Sequence, residues 1–283
     1  MSKDEQILKN HFHDLAERAY QRGIPTFSGF VEKYHIKTAC QAASAAGVCA
    51  AGYGGYPDAL RQIICFYPAS WDTGQDDLGL TLQDNGHSPD TDNTQDLNGI
   101  LNYPIECIKI TPVNKHFCDN LSHRDYLGSV MNLGIERNQV GDIIVKREGG
   151  AGDEIPAAYI FCNQNKSALI EGISRIKHTT VCAVLFEGAG LSLQQDYKEF
   201  GSSVSSYRLD AVLAVCLRIS RGQCIGLIQE GRVSLNGKVC TENAKQVNNG
   251  DVLSVRGYGK YIIESSQTVT RKGRLHIKVK QYI

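Results

Sequence analysis

The spacing of apolar residues is most regular between residues 207 and 239, where it changes from a helical period to a strand period. Apolar side chains recur every three or four residues, as on one helix face, at Leu209, Val212, Leu213, Cys216 and Leu217. Ser220 and Gln223 have the spacing of a capping box, so a second helix is predicted to begin at Arg221. Gly231 is placed to end it.

A hairpin is predicted to follow the second helix directly. Val233 and Leu235 alternate with polar residues, as in a half-buried strand. The dipeptide Asn236-Gly237 favours a type I′ turn because both residues readily adopt a positive φ. The chain then returns through Lys238, so this segment is expected to place a helix start and a hairpin on one side.

Between residues 100 and 200 the apolar runs predict the order strand, helix, strand, strand, helix, strand. The segments are 105–110, about 121–134, 143–146, 159–162, 167–176 and 181–186. This order is typical of a ferredoxin-like or RRM-like sandwich. Tyr159 and Phe161 share one face of the third strand, where rings could stack on bases. Burial in the core is the more common role of such rings, and we expect it here.

Residues 1–71 are predicted to be mainly helical, with helices at 5–22 and about 31–47. The second helix is rich in alanine, which suits close packing. Residues 72–99 are rich in Asp, Asn, Gly, Thr and Gln and contain few apolar side chains. They are therefore predicted to form a polar, acidic insertion.

Charge is unevenly distributed along a chain that has 30 basic and 30 acidic residues. From residue 204 to the end there are 13 Lys+Arg against 5 Asp+Glu, which leaves 17 against 25 in residues 1–203. The basic part suits a phosphate-bearing partner. Its last strand carries further basic residues on one face, namely Arg274, His276, Lys278 and Lys280. Phosphate contact and a solvated face are both open for that strand.

A cationic surface for folded nucleic acid is predicted at the second helix and the hairpin. Arg221, Arg232 and Lys238 are expected to hold phosphates, together with the N–H groups and positive dipole of the helix start. Arg256, Tyr258 and Lys260, which alternate with glycines, would extend the contact. The complete predicted set is Arg208, Ser220, Arg221, Gln223, Arg232, Asn236, Gly237, Lys238, Arg256, Tyr258 and Lys260.

The same segment resembles the S4 RNA-binding domain. The residues that carry the resemblance are Arg208-Leu209-Asp210, Ser220-Arg221, Leu227-Ile228, Gly231, Val233, Leu235, Asn236-Gly237, Val239 and Gly250-Asp251-Val252-Leu253. One departure is Ile225, which stands where a second arginine is common in that family. The resemblance implies an S4-type α/β RNA-binding domain at 204–283, with a basic C-terminal hairpin.

A second resemblance lies in the run His123-Arg124-Asp125-Tyr126-Leu127-Gly128-Ser129, which continues through Leu133-Gly134-Ile135 and Arg137 to Val140-Gly141-Asp142-Ile143. Gly54-Gly55-Tyr56, Arg61 and Val255-Arg256-Gly257-Tyr258-Gly259-Lys260 match as well. This is similar to the YlmH-type RNA-binding proteins. The resemblance implies an α+β fold with an N-terminal helical region, an RRM-like domain at 100–200 and a C-terminal S4 domain. It also implies binding to ribosomal RNA of the large ribosomal subunit, near tRNA, in rescue of stalled translation, and an association with cell division.

Catalysis is the main alternative, because S4 modules often accompany pseudouridine synthases and methyltransferases. Asp210 stands in an R-L-D context like that of pseudouridine synthases, but it opens the predicted helix and is expected to pair locally or cap it. The glycines at 52–55 and 188–190 match a methyltransferase turn poorly. His123-Arg124-Asp125 lacks the other motifs of a kinase. We therefore expect a non-catalytic protein; an interaction protein of the division machinery is a further alternative.

Neither a cofactor nor a metal is expected, since His116, Cys118 and His123 lack a second ligand pair. Ten cysteines are scattered among apolar residues, which indicates buried, reduced thiols in a cytoplasmic protein. Examples are Cys65, Cys162, Cys182 and Cys216. Runs of about 18 apolar residues are absent, and the polar start is unlike a secretory signal. The expected partners are ribosomal RNA and tRNA, with no membrane and no small-molecule substrate.

Overall fold

The computed structural model describes residues 3–57, 59–71, 101–114, 117–148, 155–187, 197–269 and 273–282. The insertion predicted at 72–99 lies outside these residues, as do His116 and the glycines at 188–190. The chain forms two compact units, Met1–Gln194 and Gln195–Ile283. Each unit is described by itself below.

The first unit begins with the two predicted helices and with a three-stranded sheet that was not predicted. It contains the helices Lys3–Arg22 (α1) and Ile36–Ala46 (α2) and the strands Thr26–Glu32 (β1), Val48–Tyr53 (β2) and Arg61–Pro68 (β3). The strands form an antiparallel sheet with β3 in the centre. In β3 five consecutive residues are buried, as in a central strand, and a short apolar run of this kind has no period that separates strand from helix. The helix predicted from residue 31 starts only at Ile36, because β1 pairs with β3.

The second part of this unit follows the predicted order of elements. It contains Ile105–Pro112 (β4), His123–Met131 (α3), Val140–Glu148 (β5), Ile155–Asn163 (β6), Ser167–Glu171 (α4), Arg175–Ile176 (β7) and Thr179–Leu185 (β8). The sheet has the order β5-β6-β4-β8-β7, with every neighbouring pair antiparallel. Helix α4 is shorter than predicted, and the additional strand β7 occupies part of the segment assigned to it.

The two faces of this sheet are covered differently. Ile108, Ile110 and Ile160 lie on the face that packs against α3 and α4. Tyr159 and Phe161 point to the opposite face and are 0% and 2% exposed. The ring of Phe161 lies 4.9 Å from that of Tyr56, between centroids. The expectation that both rings belong to the core is confirmed.

The His123-Arg124-Asp125 sequence has a structural role at the start of α3. Asp125 is the third residue of the helix and completes a capping box with Ser122: its carboxylate accepts hydrogen bonds from the Ser122 N–H and from the Ser122 hydroxyl, both at 2.8 Å. Lys177 lies 2.8 Å from the same carboxylate. The Lys177 ammonium, followed by the bonds from Ser122, lowers the pKa of Asp125 to about 2. The carboxylate is therefore used to begin a helix.

The second unit contains Tyr197–Val204 (β9), Leu209–Leu217 (α5), Arg221–Gln229 (α6), Val233–Leu235 (β10), Lys238–Val239 (β11), Val252–Val255 (β12), Gly259–Val269 (β13) and Leu275–Tyr282 (β14). Its sheet has the order β11-β10-β12-β13-β14-β9. The two helices pack on one face of it, around a core that includes Leu213, Ile228 and Val279. The predicted helix pair and hairpin are confirmed.

None of the ten cysteines, all of which lie within the described residues, forms a disulfide, but they are not all buried. Cys65, Cys162 and Cys216 are buried as predicted, and burial raises the pKa of each thiol to about 12. Cys182 is exposed, contrary to the expectation. The cause is strand alternation, since its neighbour Val181 takes the inward position in β8.

Thiol labelling should separate these cysteines. At neutral pH we expect a maleimide to modify Cys182 in the folded protein well before Cys65, Cys162 and Cys216, because the thiolate is the reactive form and the buried thiols stay protonated. Peptide mass spectrometry over time measures the order. The same reaction in denaturant is the control, and equal rates in the folded protein would contradict the burial.

Candidate nucleic-acid interface

A buried carboxylate holds two arginines at the start of the S4-like helix pair. Asp210 is 2% exposed. Its Oδ1 accepts a hydrogen bond from Arg208 Nε at 3.2 Å, and its Oδ2 accepts one from Arg221 Nη2 at 2.7 Å. The arginine side chains keep 38% and 49% of their surface exposed, so their outer N–H groups face solvent. The expectation that Asp210 pairs locally is confirmed.

The charge state of Asp210 follows from these contacts. Burial alone would raise its pKa, but the hydrogen bonds and positive charges of Arg208 and Arg221 outweigh burial and lower it. The carboxylate is therefore ionised at neutral pH. It fixes both guanidinium groups in place, and the three side chains together carry a net charge of +1.

Ser220 and Gln223 form the predicted capping box of α6. The Ser220 Oγ accepts a hydrogen bond from the Gln223 N–H at 3.3 Å, and the Gln223 Oε1 accepts one from the Ser220 N–H at 3.1 Å. Helix α6 thus begins at Arg221, and the N–H groups of its first turn have no partner within the helix backbone. These bonds give both residues a structural role, while their contact with RNA stays a prediction.

The hairpin turn is braced by the side chain of Asn236. Asn236 and Gly237 have φ values of 49° and 75°, as a type I′ turn requires. The Asn236 amide donates to Asp251 Oδ1 and accepts from the Val252 N–H, both at 2.8 Å. The predicted turn is confirmed, and Asn236 holds it against the start of β12.

Strand alternation divides the predicted RNA-binding residues between the two faces of the sheet. Lys238 pairs with Leu235, whose side chain packs toward the core under the helices, so Lys238 lies on the helix-bearing side. Ser254 pairs with Lys260, and both lie on the other side, which we call the outer face. Lys238 therefore shares the side of the helices, as predicted, whereas Lys260, which was expected to extend the same contact, lies on the opposite face.

The outer face carries an open groove of about 380 Å³. Its polar lining consists of Arg232, Ser234, Ser254, Arg256 and Lys260. Arg232 Nη2 donates to the Arg256 carbonyl oxygen at 2.9 Å, and Arg232 Nη1 lies 3.5 Å from Glu230. Tyr258 is 42% exposed in the turn that follows β12. Arg256 is exposed as well.

The basic face of the last strand is paired with acidic residues. Lys278 Nζ lies 2.8 Å from a carboxylate oxygen of Glu199, and Lys280 Nζ lies 2.6 Å from one of Glu264. Arg274 donates to the Ser203 carbonyl oxygen. Of the two alternatives for this strand, the structure favours the one without phosphate contact. Glu199 was missed because it precedes residue 204, the predicted start of the domain, and meets β14 only through sheet pairing.

Several residues that carry the YlmH resemblance meet inside the first unit. Asp142 is 8% exposed and accepts hydrogen bonds from the Tyr56 hydroxyl at 2.8 Å and the Leu60 N–H at 2.6 Å. Arg61 donates to the carbonyl oxygens of Phe30 and Arg137 at 2.8 and 3.1 Å. These residues connect the two sheets of the unit, so their role is structural.

We searched the part of the chain that the structure describes for metal-binding groups and for helices that could span a membrane. This part contains no group of three or more His, Cys, Asp or Glu side chains placed to hold a metal ion. No single helix in it is long and apolar enough to cross a membrane. By length and composition alone, the helices Leu209–Leu217 and Arg221–Gln229 would together be long and apolar enough, although the pair is bent by 110°.

Comparison with known proteins gives two family matches. Residues 101–181 match the family described as "Putative RNA-binding domain in YlmH", and residues 208–253 match the S4 domain. The curated "Ribosome-associated protein quality control protein P2" of Bacillus subtilis (strain 168) is 27% identical over 159 residues. That match covers 56% of this chain and 59% of the relative's length. A solved structure, "Cell division protein ylmH from Streptococcus pneumoniae", has a TM-score of 0.44 and 20% identity, covering 66% of this chain and 93% of that one.

Proposed function

Because the chain is a YlmH-type RNA-binding protein with an S4 domain at its C-terminal end, we propose that it binds folded RNA through the helix-bearing side of that domain. The observation that carries the proposal is the pair of half-exposed arginines fixed by the buried Asp210. Planar guanidinium groups held in place suit bidentate contact with phosphate. Helix α6 begins at Arg221 and adds the N–H groups of its first turn and the positive end of its dipole.

The RNA partner is ribosomal in this proposal. The relative named for ribosome-associated quality control supports a role at the ribosome. We propose that the chain binds ribosomal RNA of the large subunit, near tRNA, in rescue of stalled translation in the cytoplasm. The 13 basic against 5 acidic residues from 204 onward fit such a partner. A link with cell division rests on the family resemblance alone.

The middle sheet is RRM-like in this proposal, but it does not use the usual RRM surface. Its strand order and antiparallel pairing support the assignment. The face on which an RRM stacks bases is covered here, since Tyr159 and Phe161 are buried. Recognition by stacking on these rings is therefore blocked, and the RNA contact is assigned to the C-terminal unit.

The enzyme alternative would need Asp210 to act on a nucleoside. A nucleophilic carboxylate must reach its substrate, whereas Asp210 is 2% exposed and bonded to two arginines. This geometry favours binding without catalysis. Incubation of the protein with ribosomal RNA, followed by nucleoside mass spectrometry, tests the alternative. Formation of pseudouridine or a methylated base would support an enzyme.

Removal of helix-side cations should weaken RNA binding in a salt-dependent way. We expect Arg221→Ala with Lys238→Ala to lower affinity for ribosomal RNA and to reduce the slope of log K against log salt by about 0.7–0.9 for each phosphate that is no longer neutralised. Fluorescence anisotropy over a range of salt concentrations measures both. Lys198→Ala, which removes an exposed lysine of the same sheet, is the matched control. A double variant that binds as tightly as the wild type would remove this site assignment.

A further inference from the structure

The outer face of the C-terminal sheet has the composition of an anion-binding surface. Its groove is lined by the cations Arg232, Arg256 and Lys260 and by the hydroxyl groups of Ser234 and Ser254. No Asp or Glu is among the described residues that line it. Arginine, lysine and serine side chains are common donors to phosphate oxygens in complexes with nucleic acids.

One guanidinium group of this groove is partly fixed before any ligand arrives. Arg232 Nη2 donates to the Arg256 carbonyl oxygen at 2.9 Å, and the neighbouring Glu230 lies 3.5 Å from Arg232 Nη1. Gly257 has a φ of 92°, and a Cβ at this position would lie 3.1 Å from Arg232 Nη2. The turn thus allows its backbone to approach Arg232 closely. Less side-chain freedom is lost on binding when a donor is already held.

The groove and the helix side are separated by the sheet itself. Ser234, Ser254 and Lys260 align across three strands on the outer face. Their strand neighbours Val233, Leu253 and Tyr261 point the other way, into the core beneath the helices. Arg208 and Arg221 lie on the helix layer. The two sets of cations therefore lie on different faces of this unit.

We propose that the outer-face groove is a second phosphate-binding site, which takes single-stranded RNA independently of the helix side. This inference rests on the proposed RNA-binding function. The groove has a volume of about 380 Å³, which is within the range of small-ligand sites. The half-exposed ring of Tyr258 stands in the same turn as Arg256 and offers a stacking surface for an unpaired base. Farther along the face, Glu199 and Glu264 pair with Lys278 and Lys280 and limit the cationic region.

The test compares two probes with two variants of the full chain. The probes are a short oligouridylate and a folded ribosomal RNA hairpin, each followed by fluorescence anisotropy. The groove variant combines Arg256→Ala with Lys260→Ala, and the helix-side variant combines Arg221→Ala with Lys238→Ala. We expect the groove variant to lose roughly tenfold or more in oligouridylate affinity. Its salt slope should fall by about 0.7 for each phosphate that the groove no longer neutralises. The helix-side variant should keep its oligouridylate affinity and lose affinity for the hairpin.

The outcomes separate this inference from the proposed function. If the wild type binds the hairpin but not oligouridylate, or if both variants weaken both probes equally, the second site is overturned. If the wild type binds oligouridylate but no folded RNA, the proposed function fails instead.

Competition experiments identify the ligand of the groove. If inorganic phosphate or UMP displaces the probe as effectively as oligouridylate does, the groove is a site for free phosphate. If oligoglutamate displaces the probe, the groove binds an acidic protein. Either result would overturn the assignment to RNA. Arg256→Lys, which keeps the charge, and circular dichroism of every variant guard against effects of misfolding.

Discussion

Replacing Asp210 by asparagine is expected to weaken binding of ribosomal RNA roughly tenfold, although the substitution makes the protein more positive by one charge. Asp210 accepts hydrogen bonds from both Arg208 and Arg221. An asparagine offers one oxygen and one NH₂ group, and the NH₂ group would face a guanidinium donor. At least one arginine would then be released and would have to be ordered again on binding, at a cost of about 0.5–1.5 kcal/mol for each side chain.

The direction of this effect distinguishes positioning from simple electrostatics. If Asp210 acted only as a negative charge near RNA, its removal would strengthen binding and steepen the salt dependence. If it positions the arginines, binding weakens. Glu242→Gln is the matched control, because it removes an exposed acidic charge from the same unit and should give slightly tighter binding. Tighter binding by Asp210→Asn, in a protein that melts like the wild type, would contradict the positioning role.

The acid sensitivity of stability gives an independent measure of the same contacts. The pKa of Asp210 is lowered on folding from its ordinary value of 3.8. A lowered pKa contributes stability above the unfolded-state value, and this contribution is lost as the pH falls through the folded-state value. In the wild type it should therefore be present at neutral pH and decrease below about pH 4. Asp210→Asn should reduce this acid-dependent loss in denaturant titrations.

Sequence was most informative where each local signal involved neighbours within a few residues. The capping box of Ser220 and Gln223 and the turn at Asn236 and Gly237 are decided by spacings of three residues or fewer, and the structure has all of them as predicted. Asp210 could be expected to pair locally for the same reason. The identity of its two partners needed the fold, because Arg221 is eleven residues away.

What the sequence could not give were contacts between distant segments and the face on which a side chain lies. The assignment of Lys238 and Lys260 to opposite sides of the sheet depends on the register of short strands, and a shift by one residue would exchange the sides. The N-terminal region was predicted as helical because its alanine-rich segment has a clear period, while the buried strand Arg61–Pro68 has none. In the described part of the chain, the strands β1 and β2 pair only with this central strand, so they could not be predicted without it.

The buried network around Asp142 shows that a sequence motif shared with RNA-binding proteins can serve the fold. We expect Asp142→Ala to lower the free energy of unfolding of the first unit by about 3–5 kcal/mol, the range found when one partner of a buried charged network is removed. The Tyr56 hydroxyl and the Leu60 N–H would lose their acceptor, and the Arg137 guanidinium would lose a nearby negative charge. Hydrogen exchange of the full chain measures the effect by region: amides of β5 and β6 should lose protection, while those of β12 and β14 in the second unit should keep it.

Tyr56→Phe is the graded control for this prediction, because it removes a single hydrogen bond and leaves the carboxylate and the ring in place. It should cost about 1 kcal/mol. Neither substitution touches the cations of the C-terminal unit, so both variants should bind ribosomal RNA like the wild type wherever that unit remains folded. Loss of RNA affinity in Asp142→Ala, with protection of β12 and β14 unchanged, would show that the first unit contacts RNA after all. Unchanged protection of β5 and β6 would show that the network does not stabilise the unit.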